Sequence, residues 1–204
     1  MQLDEVIKSR HSCRTYLPLP VSDSDIKKII EAGRLSPSAK NAQPWKVVCL
    51  KTNNRGTQIS NLMKNYYLQN KNDPAKLRGA GSVFATAKIL EDCPALLLIF
   101  EDSDDIDRDQ VRDISTLLSI GSFVEHMVLK ATDLGISSLW ICDTFFVQKE
   151  IGEFIDKQFD SKDKIPFINS SNRLVCALAL GYRGDDEYAT PRKPLDDIVK
   201  VLDI

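Results

Sequence analysis

Short, nearly unbroken apolar runs alternate along this chain with longer stretches in which apolar residues recur every three or four positions. Trp45 to Leu50, Ala95 to Phe100, Ser138 to Cys142 and Leu174 to Leu180 are the short runs, and Pro94 opens the second. Runs so short and so apolar suit strands buried on both faces. The longer pattern is helical. Ser22-Asp23-Ser24-Asp25 precedes Ile26, Ile29, Ile30 and Leu35, an N-cap signal followed by one apolar stripe. A helix is also expected at about 56–68, within a polar and mixed stretch, and a terminal one from the spacing of Leu195, Ile198, Val199 and Leu202.

The segment from about 110 to 134 is different, because it is apolar on more than one side. Val111, Ile114, Leu118, Gly121 and Val128 form one stripe, and Leu117, Ile120, Val124, Met127, Ala131 and Leu134 form another. Such a helix must be covered nearly all round. In a chain of 204 residues that points to a central core helix, open to sharing with a second subunit. Helices and strands mix irregularly, without internal repeat, low-complexity tract or linker. The expected class is α+β, one domain over 1–204 with helices around one sheet.

Composition narrows the function classes. A net charge of −2 implies no broad attraction to nucleic acid. No apolar run approaches the roughly 18 residues that cross a bilayer. The opening Met-Gln-Leu-Asp-Glu lacks the charged and apolar regions of a signal peptide, so a cytoplasmic protein is expected. Cys13, Cys49, Cys93, Cys142 and Cys176 are scattered, and His11 and His126 are the two histidines, so no metal-ligand spacing is visible. Cys49 and Cys176 read as buried thiols of strands. The acidic stretch from Glu101 to Asp109 reads as a solvated loop, since nothing fixes its carboxylates.

Three segments carry candidate chemistry. Between Arg34 and Trp45, Pro37 and Pro44 set rigid turns, and Ser38, Asn41 and Gln43 present hydroxyl and amide groups from a stiff loop. A planar, hydrogen-bonding heterocycle needs such a surface. The plainer alternative is a helix-ending turn. In Ser9-Arg10-His11-Ser12-Cys13-Arg14-Thr15, Arg10, Ser12 and Arg14 share one face of an extended stretch. Two guanidiniums flanking a hydroxyl suit a phosphate, and a solvated basic surface is the alternative. Near the end, Pro191 and Pro194 flank Arg192 and Lys193 and fix where these charges point, or simply make a basic turn.

Taken together these segments resemble the nitroreductase family of FMN-dependent oxidoreductases. The resemblance rests on Ser9-Arg10-His11-Ser12-x-Arg14, on Ser36-Pro37-Ser38-Ala39-Lys40-Asn41-Ala42-Gln43-Pro44-Trp45, on Asp133-Leu134-Gly135-Ile136-Ser137-Ser138-Leu139-Trp140-Ile141, and on Leu180-Gly181-Tyr182 followed by Pro191-Arg192-Lys193-Pro194-Leu195. It implies an FMN-binding sandwich with a central mixed sheet flanked by helices, forming an intertwined homodimer with FMN at the subunit interface. By position, Arg10 and Ser12 would hold the FMN phosphate with Arg192 and Lys193, and His11 would lie beside the ribityl chain. Arg14 would face the pyrimidine edge. Pro37, Ser38, Ala39 and Asn41 would line the ring from the partner subunit, and Gln43 of the same loop would also bind the cofactor. Trp140, Ile141 and Cys142 would pass the other face, with the Cys142 amide toward flavin N5. Cys142 has a rival reading as a reactive thiol. Ser137 stands where many relatives carry glycine. The implied reaction passes hydride from NAD(P)H through N5 to a nitroaromatic, quinone or similar acceptor, in ping-pong order and without a protein acid or base. An FMN-binding protein without nicotinamide turnover is the competing reading.

Overall fold

The apolar runs become one sheet, and the amphipathic stretches become the layers that cover it. The computed structural model describes residues 1–51, 55–75, 80–102, 109–157, 168, 172–185 and 190–201. In chain order the elements are α1 (Leu3–Ser9), α2 (Asp23–Arg34), β1 (Trp45–Lys51), α3 (Arg55–Asn70), α4 (Val83–Asp92), β2 (Ala95–Glu101), α5 (Gln110–Asp133), β3 (Ser137–Ile141), α6 (Gln148–Asp156) and β4 (Leu174–Gly181). Short 3₁₀ turns lie at Ala39–Asn41, Asp143–Val147 and Leu195–Asp197. No helix among the described residues is long and apolar enough to cross a membrane.

The strand order is β1-β2-β4-β3, and every neighbouring pair is antiparallel. The expected mixed sheet is therefore corrected in one respect. Among the described residues, parallel pairing is confined to an isolated Ser12–Ser138 bridge at the β3 edge. Strand direction follows the connections. Two helices, α3 and α4, join β1 to β2 and return the chain to the end it left, whereas a single crossover helix gives a parallel pair.

Strand periodicity divides the core in two. Leu96, Leu98 and Phe100 of β2 face Ile59 and Met63 of α3, Leu90 of α4 and Ile151 of α6. Ala95, Leu97 and Ile99 face Ile29 of α2 and Phe123 and Met127 of α5. The α+β sandwich follows. Ser22 caps α2 by accepting the Asp25 amide at 3.1 Å, as its sequence predicts.

The chain covers both stripes of α5 toward its C-terminal end, Val128 of the first stripe included, and leaves both open toward its start. Ile120, Val124, Met127 and Ala131 are buried, while Val111 is 72% and Leu118 70% exposed and Ile114 and Leu117 are also exposed. The terminal helix is not formed: Leu195–Asp197 is one 3₁₀ turn with Leu195, Ile198 and Val199 exposed, and Leu202 lies outside the described residues. An isolated short helix is marginal without packing, and Pro191 and Pro194 break the approach to it. Cys176 is buried as expected, whereas Cys49 is half-buried.

Candidate functional site

The site begins where α5 ends. Gly135 takes φ 72°, the Gly135 amide donates to Thr132 O and the Ile136 amide donates to Ala131 O. This left-handed cap turns the chain sharply into β3. Against the outer edge of β3 lies the basic N-terminal segment. The Cys13 amide donates to Ser138 O at 2.9 Å, and the Cys13 side chain is fully buried. Tyr16 Oη donates to Cys13 O at 3.2 Å, and the Leu17 amide donates to Tyr182 O at 2.8 Å. Gly181 makes this crossing possible: a Cβ there would lie 2.5 Å from the Pro94 ring and 2.6 Å from the Tyr16 ring.

With Cys13 turned inward, Arg14 is exposed, and its Nη1 donates to Ser12 O at 3.4 Å; Arg10 and Ser12 are half-buried. His11 Nδ1 lies 3.0 Å from Ser9 O. A carbonyl only accepts, so Nδ1 is the donor, and in the neutral ring Nε2 is then an acceptor. That Nε2 is buried and has no partner among the described residues.

The direction of the β3 backbone groups follows from the same bond. Ser138 points its carbonyl at Cys13, away from β4. In an antiparallel pair successive residues alternate between bonding the neighbour and facing away. Ser137, Leu139 and Ile141 therefore bond β4, while Trp140 and Cys142 turn their amides to the edge beside Arg10–Arg14. The Ile141 side chain lies in the core at 3% exposure, so it supports this edge from behind. Trp140 is 40% exposed. Cys142 is exposed just beyond the strand, at the start of the Asp143–Val147 turn. Burial, and then Asp143, hold its thiol above the ordinary range.

The proline-framed loop is built from strained backbone. Lys40, Asn41 and Gln43 take φ of 53°, 55° and 48°. Side chains other than glycine adopt this left-handed region at a cost, and such residues concentrate where a loop must present groups in one arrangement. Ser38 Oγ accepts the Gln43 amide at 3.0 Å and closes the loop on itself. Ser119 of α5 accepts the Ala39 amide at 3.0 Å and anchors it. Trp45 stacks on Phe123 with ring centroids 4.7 Å apart. Pro37, Ala39, Asn41 and Gln43 stay exposed, and Ser38 is half-buried. Ser119 was not foreseen, because its bond spans 80 residues and no local pattern signals it.

The two candidate segments thus lie on opposite flanks of α5. Ser119 holds the loop, and Gly121 lies against the Trp140 ring, whose Cη2 is 3.9 Å from where a Gly121 Cβ would stand. Two residues turn an α-helix by roughly 200°. Between those flanks runs the exposed stripe of Val111, Ile114 and Leu118. Arg192 and Lys193 stand exposed on the tail, and no bond among the described residues joins them to Arg10 or Ser12.

Comparison with known proteins identifies the family. The model of the nitroreductase family matches residues 7–182, which span all four motifs except the tail. The chain belongs to the nitroreductase family. This nitroreductase-family chain is 46% identical over 44 residues to the 4-nitrobenzoate reductase of Pseudomonas putida, covering 22% of this chain and 19% of that one. It is 27% identical over 140 residues to an Archaeoglobus fulgidus protein provisionally named NADH dehydrogenase/NAD(P)H nitroreductase, covering 67% of this chain and 65% of that one. The match therefore spans about a fifth of the first relative's length and just under two thirds of the second's. Among solved structures, a BluB-like flavoprotein from Clostridium difficile 630 superposes over the whole of both chains with TM-score 0.77 at 23% identity. A nitroreductase from Bacteroides fragilis with bound FMN does so with TM-score 0.73 at 19% identity. These likenesses establish the nitroreductase-like fold.

Proposed function

We propose that this chain is an FMN-dependent oxidoreductase that takes electrons from NAD(P)H and delivers them to a nitroaromatic, quinone or similar small acceptor, in ping-pong order. The observation that carries the reading is the Ser138 carbonyl turned to Cys13, which by strand alternation sets the Trp140 and Cys142 amides outward beside Arg10 and Arg14, within a family whose solved members include one with FMN. The residues fit that cofactor. The buried, unpartnered Nε2 of His11 suits a ribityl hydroxyl donor, since a buried acceptor left unbonded is costly.

The chemistry FMN supplies when bound is hydride acceptance and donation at N5. The protein's part is position and electrostatics. Arg10 and Ser12, with Arg192 and Lys193 from the tail, would hold the phosphate. Arg14 would place a cation near the pyrimidine edge, where it would stabilise negative charge. The Cys142 amide would be the donor toward N5, and Trp140 would wall the adjoining side, with Ile141 packed behind. Pro37, Ser38, Ala39, Asn41 and Gln43 of a second copy would complete the ring site.

We further read the chain as one domain, 1–204, that works as an intertwined homodimer. Support comes from the exposed stripe of α5, which lies between the flank that carries the loop and the flank that meets Trp140. A second copy on that stripe covers the apolar surface and brings the two half-sites together. The test is anaerobic: NADH or NADPH bleaches the bound flavin, and a nitroaromatic or quinone then restores its colour. Flavin that stays oxidised with both nucleotides identifies an FMN-binding protein without nicotinamide turnover.

A further inference from the structure

The β3–β4 register carries a consequence for two of the five cysteines. Ser137 faces Gly181, Ser138 faces Leu180, and the ladder continues to Ile141 opposite Ala177. One step further sets Cys142 opposite Cys176. Cys142 leaves the strand through its ψ of −15°, but its φ of −100° is still strand-like. Its Cα and Cβ are placed by residues and bonds before that ψ, so the Cβ keeps its strand direction. That direction is shared with Trp140, over the face that Cys176 joins with Leu178 and Leu180.

The pair also falls at the closer kind of register position. Ser138 turns its carbonyl away from β4 to Cys13, so Ser138, Trp140 and Cys142 oppose their partners without exchanging hydrogen bonds. Cα atoms at such positions lie about 4.5 Å apart, within the roughly 4.4–6.8 Å that a disulfide spans. Opposed Cβ atoms are about 4.5–5.5 Å apart and a disulfide needs about 3.5–4.5 Å. β3 is an edge strand, and Cys142 sits at its free end, where that small closure is easiest.

We propose that Cys142 and Cys176 are a redox pair that closes reversibly into a cross-strand disulfide at the end of β3. The oxidant is a peroxide. The exposed Cys142 thiol gives up its proton, its sulfur attacks a peroxide oxygen, the O–O bond breaks, and Cys142 becomes a sulfenic acid while the departing hydroxide takes up that proton and leaves as water. The Cys176 sulfur then attacks the Cys142 sulfur and displaces a second water. Two thiols and one hydrogen peroxide become one disulfide and two waters, and a dithiol reverses the change. Burial, the nearby Cys142 and, in the other direction, the Trp140 indole leave the Cys176 thiol pushed up to about 12. Attack through Cys142 followed by capture is therefore the order of events. Closure tilts the Cys142 peptide toward β4, and its effect on turnover rests on the proposed flavin site.

The experiment uses the purified full chain as isolated. Hydrogen peroxide is added, remaining thiols are counted under denaturing conditions, and peptides are mapped without reduction. The expected count falls from five to three, with one linked pair joining Cys142 to Cys176, and returns to five with dithiothreitol. In Cys176→Ala the four remaining thiols yield no such link, and dimedone labels Cys142. NAD(P)H turnover of the unmodified sequence falls in step with the two thiols and recovers on reduction. A count that stays at five, or links that join other cysteines or two chains, overturns the pair. A disulfide that leaves turnover unchanged overturns the switch. Protein without flavin fails the functional reading instead, while the thiol count still reports on the pair.

Discussion

Arg10 closes α1 half-buried and Arg14 is exposed beside β3, and in the proposed site these two cations, four residues apart, would meet different parts of one ligand. Arg14→Ala is expected to keep FMN and to lower the flavin midpoint potential, because the charge facing the developing anion is lost. Such a contact is worth roughly 2–4 kcal/mol in a dry site, and about 1 kcal/mol where water reaches it. Arg10→Ala is expected to weaken FMN binding by about tenfold, or about 1.4 kcal/mol, with little change in potential. FMN titration and spectroelectrochemistry of both variants check this; equal loss of FMN with no shift in potential makes Arg14 another phosphate ligand. The basic alternation was legible in the sequence because Arg10, Ser12 and Arg14 share one parity. The left-handed backbone of Lys40 and Gln43 was not, since neither residue type favours it. Nor was the unpartnered Nε2 of His11, which depends on what folds over it.

At the scale of elements, Arg173 ties three pieces together. Its Nε donates to Glu101 Oε2 at 2.9 Å and its Nη2 to Asp113 Oδ1 at 2.8 Å, joining the end of β2, the start of β4 and the first turn of α5. Glu101, read from sequence as the start of a solvated acidic loop, is instead the last residue of β2 and 1% exposed, and residues 103–108 of that stretch lie outside the described residues. Arg173→Met takes this cation from a buried carboxylate, a loss of roughly 3–5 kcal/mol in a dry pair. The Arg173 side chain is 34% exposed, which moves the expectation to about 2–3 kcal/mol. Urea unfolding is expected to show a lower midpoint at unchanged slope; an unshifted midpoint removes the clamp from the account. The strands and α2 were legible because burial on both faces, or a capped stripe, leaves a plain signature. Short α1, α4 and α6 were not, because their turns are decided by contacts with the sheet. Strand direction has no signature either: an apolar run such as Ala95 to Phe100 reads the same in a parallel or an antiparallel sheet.

For the whole molecule, α5 is the feature that the sequence showed most plainly and that one chain satisfies least. Its N-terminal half, exposed at Val111, Ile114 and Leu118, and the exposed tail at Leu195, Ile198 and Val199 are expected to be covered by a second copy. Obligate interfaces of this kind often exceed about 2,000 Å², so light scattering at micromolar concentration is expected to give twice the chain mass. A monomer mass there contradicts the shared site. The central claim is that these half-sites together hold FMN, and the visible spectrum of the purified protein tests it most directly. The account predicts a yellow protein that releases about one FMN per chain on denaturation. Colourless protein that takes up no added FMN contradicts it.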